Sequence, residues 1–115
     1  MRTVWKQIDH RTTVLAVIGR LDQQAILALE TLIRPKDLRC HHLIFDLLDA
    51  TWIDSFVLDE WFLWLHQMKS QNLHFSMLNP SPSLRESLNQ AHISDLVPIF
   101  ASQEEAIKHH ETSSS

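Results

Sequence analysis

Apolar and polar positions alternate weakly from Val4 through Lys6 to Ile8, and a polar Asp9-His10-Arg11 turn follows. The run Thr12-Thr13-Val14-Leu15-Ala16-Val17-Ile18 is then β-branched and apolar, which predicts a buried strand ended by Gly19. Two such runs across a short polar turn read as a hairpin. The period then changes. Ile26, Leu29, Leu32 and Ile33 recur at helical spacing, and Asp22 is a suitable N-cap, so a helix is predicted over 23–33 and Pro35 stops it. Lys36 to His42 is polar and loop-like, and 42–48 reads as a short buried strand. The longest helix is predicted over 54–70, opened by Asp54 or Ser55. A strand follows over 72–78, then the loop Asn79-Pro80-Ser81-Pro82. Ser83-Leu84-Arg85-Glu86 has the form of a capping box and predicts a helix to about Ala91. Val97-Pro98-Ile99-Phe100 reads as a short strand whose proline suits a sheet edge. Ser102-Gln103-Glu104-Glu105 is a second capping box, opening a last helix to about His109.

The resulting order is β-β-α-β-α-β-α-β-α. Strands alternating with helices predict one α/β domain, a mixed β-sheet with helices packed against it, over residues 1–108. The polar stretch 109–115 is expected to be a disordered tail. The chain carries no internal repeat.

The helix over 54–70 says most about function. At about 100° per residue, Val57, Trp61, Trp64, Leu65 and Met68 share one side, flanked by Leu58, and that side must face the sheet. Asp59, Glu60, His66 and Gln67 fall opposite, as a solvated face should. Phe56 and Leu63 fall there too and lie in line along the outside. Apolar side chains so placed suggest a partner surface, unless neighbouring loops cover them. Ser55 stands at the helix entrance, beside unpaired backbone N–H groups and the positive end of the helix dipole. A phosphate added there would be tolerated by the fold. If both long helices start at the same sheet edge, it would join an acidic rim of Asp22, Asp54 and Asp59 and add about −1.5 to −2 charges. Taken by position alone, Ser55 reads as a plain helix cap.

Composition narrows the classes. The 115 residues carry 10 basic and 14 acidic side chains, a net charge of −4, which gives no support for a nucleic-acid surface. The single glycine, Gly19, excludes glycine-rich phosphate loops, and with them the common nucleotide-binding enzymes. The single cysteine, Cys40, excludes an internal disulfide and a multi-cysteine zinc site, and a half-buried structural thiol suits it better than a nucleophile. No apolar run is long enough to span or insert into a membrane, and the N-terminus lacks a secretory signal, so a cytoplasmic protein is expected. Eight histidines are present, yet none pairs at metal-binding spacing, and they are expected to be exposed. No nucleophile elbow surrounds Ser55, and no paired carboxylates stand out. Neither an enzyme nor a cofactor is expected. Trp52, just before Ser55, is expected to pack beneath that site.

Four motifs then occur in order. Gly19-Arg20-Leu21-Asp22 after a buried strand resembles the G-x-L-D of STAS domains, the anti-sigma factor antagonist family. Phe45-Asp46-Leu47 with Thr51-Trp52-Ile53-Asp54-Ser55 resembles that family's central stretch. Asn79-Pro80-Ser81-Pro82-Ser83 with Leu88 resembles its loop and following helix. Ile93-Ser94-Asp95-Leu96-Val97-Pro98-Ile99-Phe100 with Glu104-Glu105-Ala106 resembles its closing segment. The resemblance implies a phosphorylation-controlled partner-switching regulator. Carried onto this chain, Ser55 is the phosphoacceptor. Asp22 and Asp54 take the acidic positions beside it, and the partner surface adds Phe56, Asp59 and Leu63. The implied partners are a serine kinase or anti-sigma-factor-like protein, a serine phosphatase and a downstream effector. Sigma-factor control, biofilm formation and stress responses are the outputs such proteins serve. The alternative is a constitutive structural subunit, in a stressosome-like scaffold or a lipid-transporter complex. One departure matters: Asp54-Ser55-Phe56-Val57 lacks the second hydroxyl and the glycine of the commonest motif, so Ser55 is the only hydroxyl at the site. In this the chain is similar to stressosome-type and some Gram-negative single-domain members.

Overall fold

The computed structural model describes residues 2–33, 42–71 and 73–113, with side chains through 109. The expected stop at Pro35, the loop before His42, and the positions of Cys40 and His41 lie outside the described residues.

The elements are β1 (Arg2–Gln7), β2 (Thr12–Leu21), α1 (Gln23–Leu32), β3 (His42–Asp46), β4 (Ala50–Ile53), α2 (Ser55–Ser70), β5 (His74–Leu78), α3 (Pro82–Gln90), α4 (Ile93–Leu96), β6 (Ile99–Phe100) and α5 (Gln103–Ser113). The sheet runs β1-β2-β3-β5-β6, with β1 antiparallel to β2 and the other pairs in that path parallel. It is the mixed α/β sheet expected from the alternating pattern. As Pro98 suggested, β6 forms an edge.

Period-2 alternation divides the core between the two sheet faces. Leu15, Phe45 and Met77 join the larger cluster with Leu29 of α1 and Trp61 and Leu65 of α2. Their neighbours Val14, Ile44 and Leu78 join a smaller cluster under Ala106 of α5. The long helices therefore cover one face and α5 the other.

Several local boundaries differ from the sequence pattern. Gly19 does not end β2. It takes φ 103°, absorbs a register shift, and lets the strand continue to Leu21. A glycine meets that positive φ without a Cβ clash. β4 and α4 are additional to the predicted order; at four residues each they are too short to express a period. Leu32 lies exposed, while Ile26, Leu29 and Ile33 are buried. α3 starts at Pro82 under a cap from Ser81, whose hydroxyl accepts from Leu84 N at 3.3 Å, so Ser83 is not the cap. Proline suits that first helical position because the N–H it lacks has no helical partner there. α5 opens on the expected Ser102, which accepts from Glu105 N at 3.2 Å, but its backbone stays helical to Ser113 rather than ending in a tail from 109. His42 is not an exposed loop histidine. It is buried in β3 with Nε2 2.7 Å from Ser76 Oγ.

α1 and α2 lie side by side, and Glu30 faces Glu60 between them. Partial burial, and then the Glu60 charge, hold the Glu30 carboxyl above its ordinary pKa. The folded state thus binds this proton more tightly than the unfolded chain does. That contribution to stability is complete below the ordinary Glu pKa and is lost as pH rises through the raised one. Glu30→Gln is expected to stabilise the domain at pH 7 by about 0.5 kcal/mol or less, because the pair is partly solvated. Denaturation at pH 7 and again near pH 4, where the gain should disappear, checks this.

Candidate functional site

β4 decides where the site residues meet. Ala16 faces Asp46 of β3; Gly19 then faces Ala50, the register shifts, and Arg20 faces Trp52, so β4 takes up β2 where β3 leaves it. The register ends with Leu21 opposite Ile53, and Asp54 N donates to Leu21 O at 3.1 Å. Asp22 and Asp54 are the next residues on each strand. The two long helices therefore start side by side, at the edge where the parallel strands end, as the acidic rim requires. Asp59 stands exposed one turn along α2.

Each aspartate caps its own helix. Asp22 Oδ1 accepts from Ala25 N at 2.9 Å, and Asp54 Oδ1 accepts from Phe56 N at 2.9 Å. Both satisfy donors that the first helical turn leaves unpaired. The structure thus separates the two capping choices that the sequence left open. Asp54 is the cap, and Ser55 is the first helical residue. Ser55 is exposed, and its hydroxyl makes no hydrogen bond among the described residues.

The outer face of α2 follows the helical pattern. Phe56 is 90% exposed and Leu63 62%, while Val57, Leu58, Trp61, Trp64 and Leu65 are buried. Among the described residues no loop covers the pair. Met68 is only partly buried. Trp52 departs from expectation: it is exposed, with the Arg20 guanidinium 4.6 Å from its ring centroid. Arg20 and Trp52 are register partners on β2 and β4, so the stack is a cross-strand pair. No sequence signal revealed it, because it depends on the unrecognised strand.

The chemistry available here is that of recognition. One free hydroxyl stands beside two carboxylates and a helix N-terminus, next to an exposed aromatic side chain. No group of three or more metal-ligating side chains lies among the described residues, and no described helix is long and apolar enough to cross a membrane.

Comparison with known proteins places the fold and the family. The chain is similar in structure to the anti-sigma factor antagonist SpoIIAA in its unphosphorylated form, with a TM-score of 0.77 and 19% identity over 96% of this chain and 97% of that one. It is similar to the phosphorylated Bacillus cell fate determinant SpoIIAA, with a TM-score of 0.67 and 20% identity over 94% and 98%. It is also similar to the Thermotoga maritima protein TM1081, with a TM-score of 0.79 and 18% identity over 93% and 92%. At such identities these likenesses speak for the fold alone. No curated protein sequence matches the chain. The family model for the STAS domain matches residues 4–106, nearly the whole chain, and the protein therefore belongs to the STAS domain family.

Proposed function

We propose that this STAS domain is a partner-switching regulator gated at Ser55. With Ser55 unmodified, the start of α2 binds a serine kinase or anti-sigma-factor-like protein, or a downstream effector. The kinase transfers the terminal phosphoryl group of ATP to Ser55 Oγ, leaving ADP and a proton, and the complex releases. A serine phosphatase restores the binding form.

The observation that carries this reading is the division of labour at residues 54 and 55. Asp54 caps α2, and the exposed Ser55 hydroxyl makes no hydrogen bond among the described residues. A group in that position can be modified at little cost to the fold. The phosphate would gain from the helix N-terminus while adding about two negative charges to a rim already holding Asp22, Asp54 and Asp59. A partner fitted to the unmodified rim then meets repulsion. A hundredfold loss of affinity needs only ~2.8 kcal/mol. Two charge contacts at a partly desolvated interface are enough for that. The two SpoIIAA structures, phosphorylated and unphosphorylated, support the comparison.

The test is a paired pull-down from lysate of the native cell with Ser55→Ala and Ser55→Asp as baits. Both variants should melt like the parent, because the Ser55 hydroxyl makes no hydrogen bond among the described residues. A kinase-like ATPase or effector captured by the alanine form alone is the expected outcome. Equal capture by both would transfer the assignment to the constitutive structural subunit, in which the α2 surface matters and the hydroxyl does not.

A further inference from the structure

The opposite end of α2 carries a second concave feature. There, at the edge where the parallel strands begin, lies a cavity of about 190 Å³ lined by Lys69, His74, Phe75, Leu96, Pro98 and His109. Four separate segments build it: the last turn of α2, the first residues of β5, the α4–β6 connection and α5.

Its floor and one wall are apolar. Phe75 is buried and held in place by a stack on Phe45, with centroids 5.7 Å apart, and by Trp64 at 5.9 Å. Leu96 and Pro98 complete that side. Behind the floor, Ser76 is tied to buried His42, so this part of the lining is rigid. The remainder is nitrogen. Lys69 Nζ donates one hydrogen bond, to Leu96 O at 3.0 Å, out of the three an ammonium offers. The His109 ring is positioned by Phe100 at 5.1 Å, and His74 enters from the start of β5. Among the described residues the lining contains no carboxylate. In a chain of net charge −4, Lys69 makes the described part of this lining locally positive.

We propose that this cavity binds a small organic anion with an apolar body, of the size and kind of an aromatic monocarboxylate. The apolar body would lie against Phe75, Leu96 and Pro98, and the carboxylate would take charge-assisted hydrogen bonds from Lys69 and His109. The volume is below the roughly 300–1,000 Å³ of sites for drug-sized molecules, which limits the ligand to about a single ring. The site is independent of Ser55 and of the switch proposed there.

Benzoate titrated to roughly 10 mM, followed by NMR, tests this at the affinity expected of so small a ligand. Benzamide serves as the neutral analogue and inorganic phosphate as the anion without an apolar body. Saturable benzoate shifts are expected at the rings of His74 and His109 and the amides of Lys69 and Leu96. Binding of benzamide and of phosphate should each be weaker by about tenfold or more. Lys69→Met should weaken benzoate by about tenfold, and Lys69→Arg should retain it, with melting curves verifying that both variants fold. Equal binding of benzamide, equal binding of phosphate, an unaffected Lys69→Met, or no saturable shift at these residues would each overturn the assignment.

Discussion

Trp61→Ala is expected to lower the unfolding free energy by about 3–5 kcal/mol, the largest stability effect available in this chain. Trp61 is wholly buried, and its ring meets Phe45 edge-on with centroids 5.7 Å apart. It ties α2 to the centre of the sheet, and an alanine leaves a cavity that the neighbouring strands cannot close. Domains of this kind are stable by only ~5–15 kcal/mol in total, so the variant should melt at least roughly 10 °C lower. Trp61→Phe should cost much less, about 1–2 kcal/mol. It keeps an aromatic ring against Phe45 and removes an indole N–H that has no hydrogen-bond partner among the described residues. Losing an unpaired buried donor offsets part of the lost packing. Urea denaturation of both variants checks the pair. An alanine variant within about 1 kcal/mol of the parent would mean that α2 is not docked as described.

Phe56→Asp should weaken partner binding by about a hundredfold and leave stability within about 0.5 kcal/mol. The side chain is 90% exposed, so the folded domain loses almost nothing with it. An aspartate in the first turn of a helix also suits the dipole. At an interface the same residue has the character of an anchor, a large aromatic beside the Ser55 hydroxyl. Leu63→Asp, two turns down the same outer face, should weaken binding less. The effector identified with the Ser55→Ala bait provides the assay, and titration calorimetry on both variants gives the ratio. Undiminished binding by Phe56→Asp would remove the outer face of α2 from the interface and confine recognition to the rim. Because Ser55 stays intact in both variants, this measures the surface separately from the switch.

The contrast between α2 and its surroundings explains how much of the site was legible in the sequence. A helix of sixteen residues expresses its period several times over. The buried side through Trp61 and Leu65 and the exposed pair Phe56 and Leu63 therefore followed from spacing alone. The cap Asp22 and the opening of α5 at Ser102 were legible because each side chain accepts from an N–H three residues on. The strand pattern at 12–18 and 42–46 and the proline of the edge strand gave the mixed α/β sheet.

Tertiary structure decided what depends on pairing across the chain. β4 has too few residues to announce itself, and it pairs with β2 across the Gly19 bulge. Yet that pairing sets Asp22 beside Asp54, stacks Arg20 on Trp52, and turns Trp52 outward. The choice of Asp54 over Ser55 as cap depended on which residue entered the helix first, and either had the side chain for it. His42 became a core residue because its strand lies between β2 and β5, where Ser76 supplies a hydrogen-bond partner. The cavity at the far end joins Lys69, His74 and His109 from three elements, a proximity no local period encodes. Periodicity records the face a residue presents within its own element. Which residues of separate elements come together is set by strand register and helix packing, and those exist only once the chain has folded.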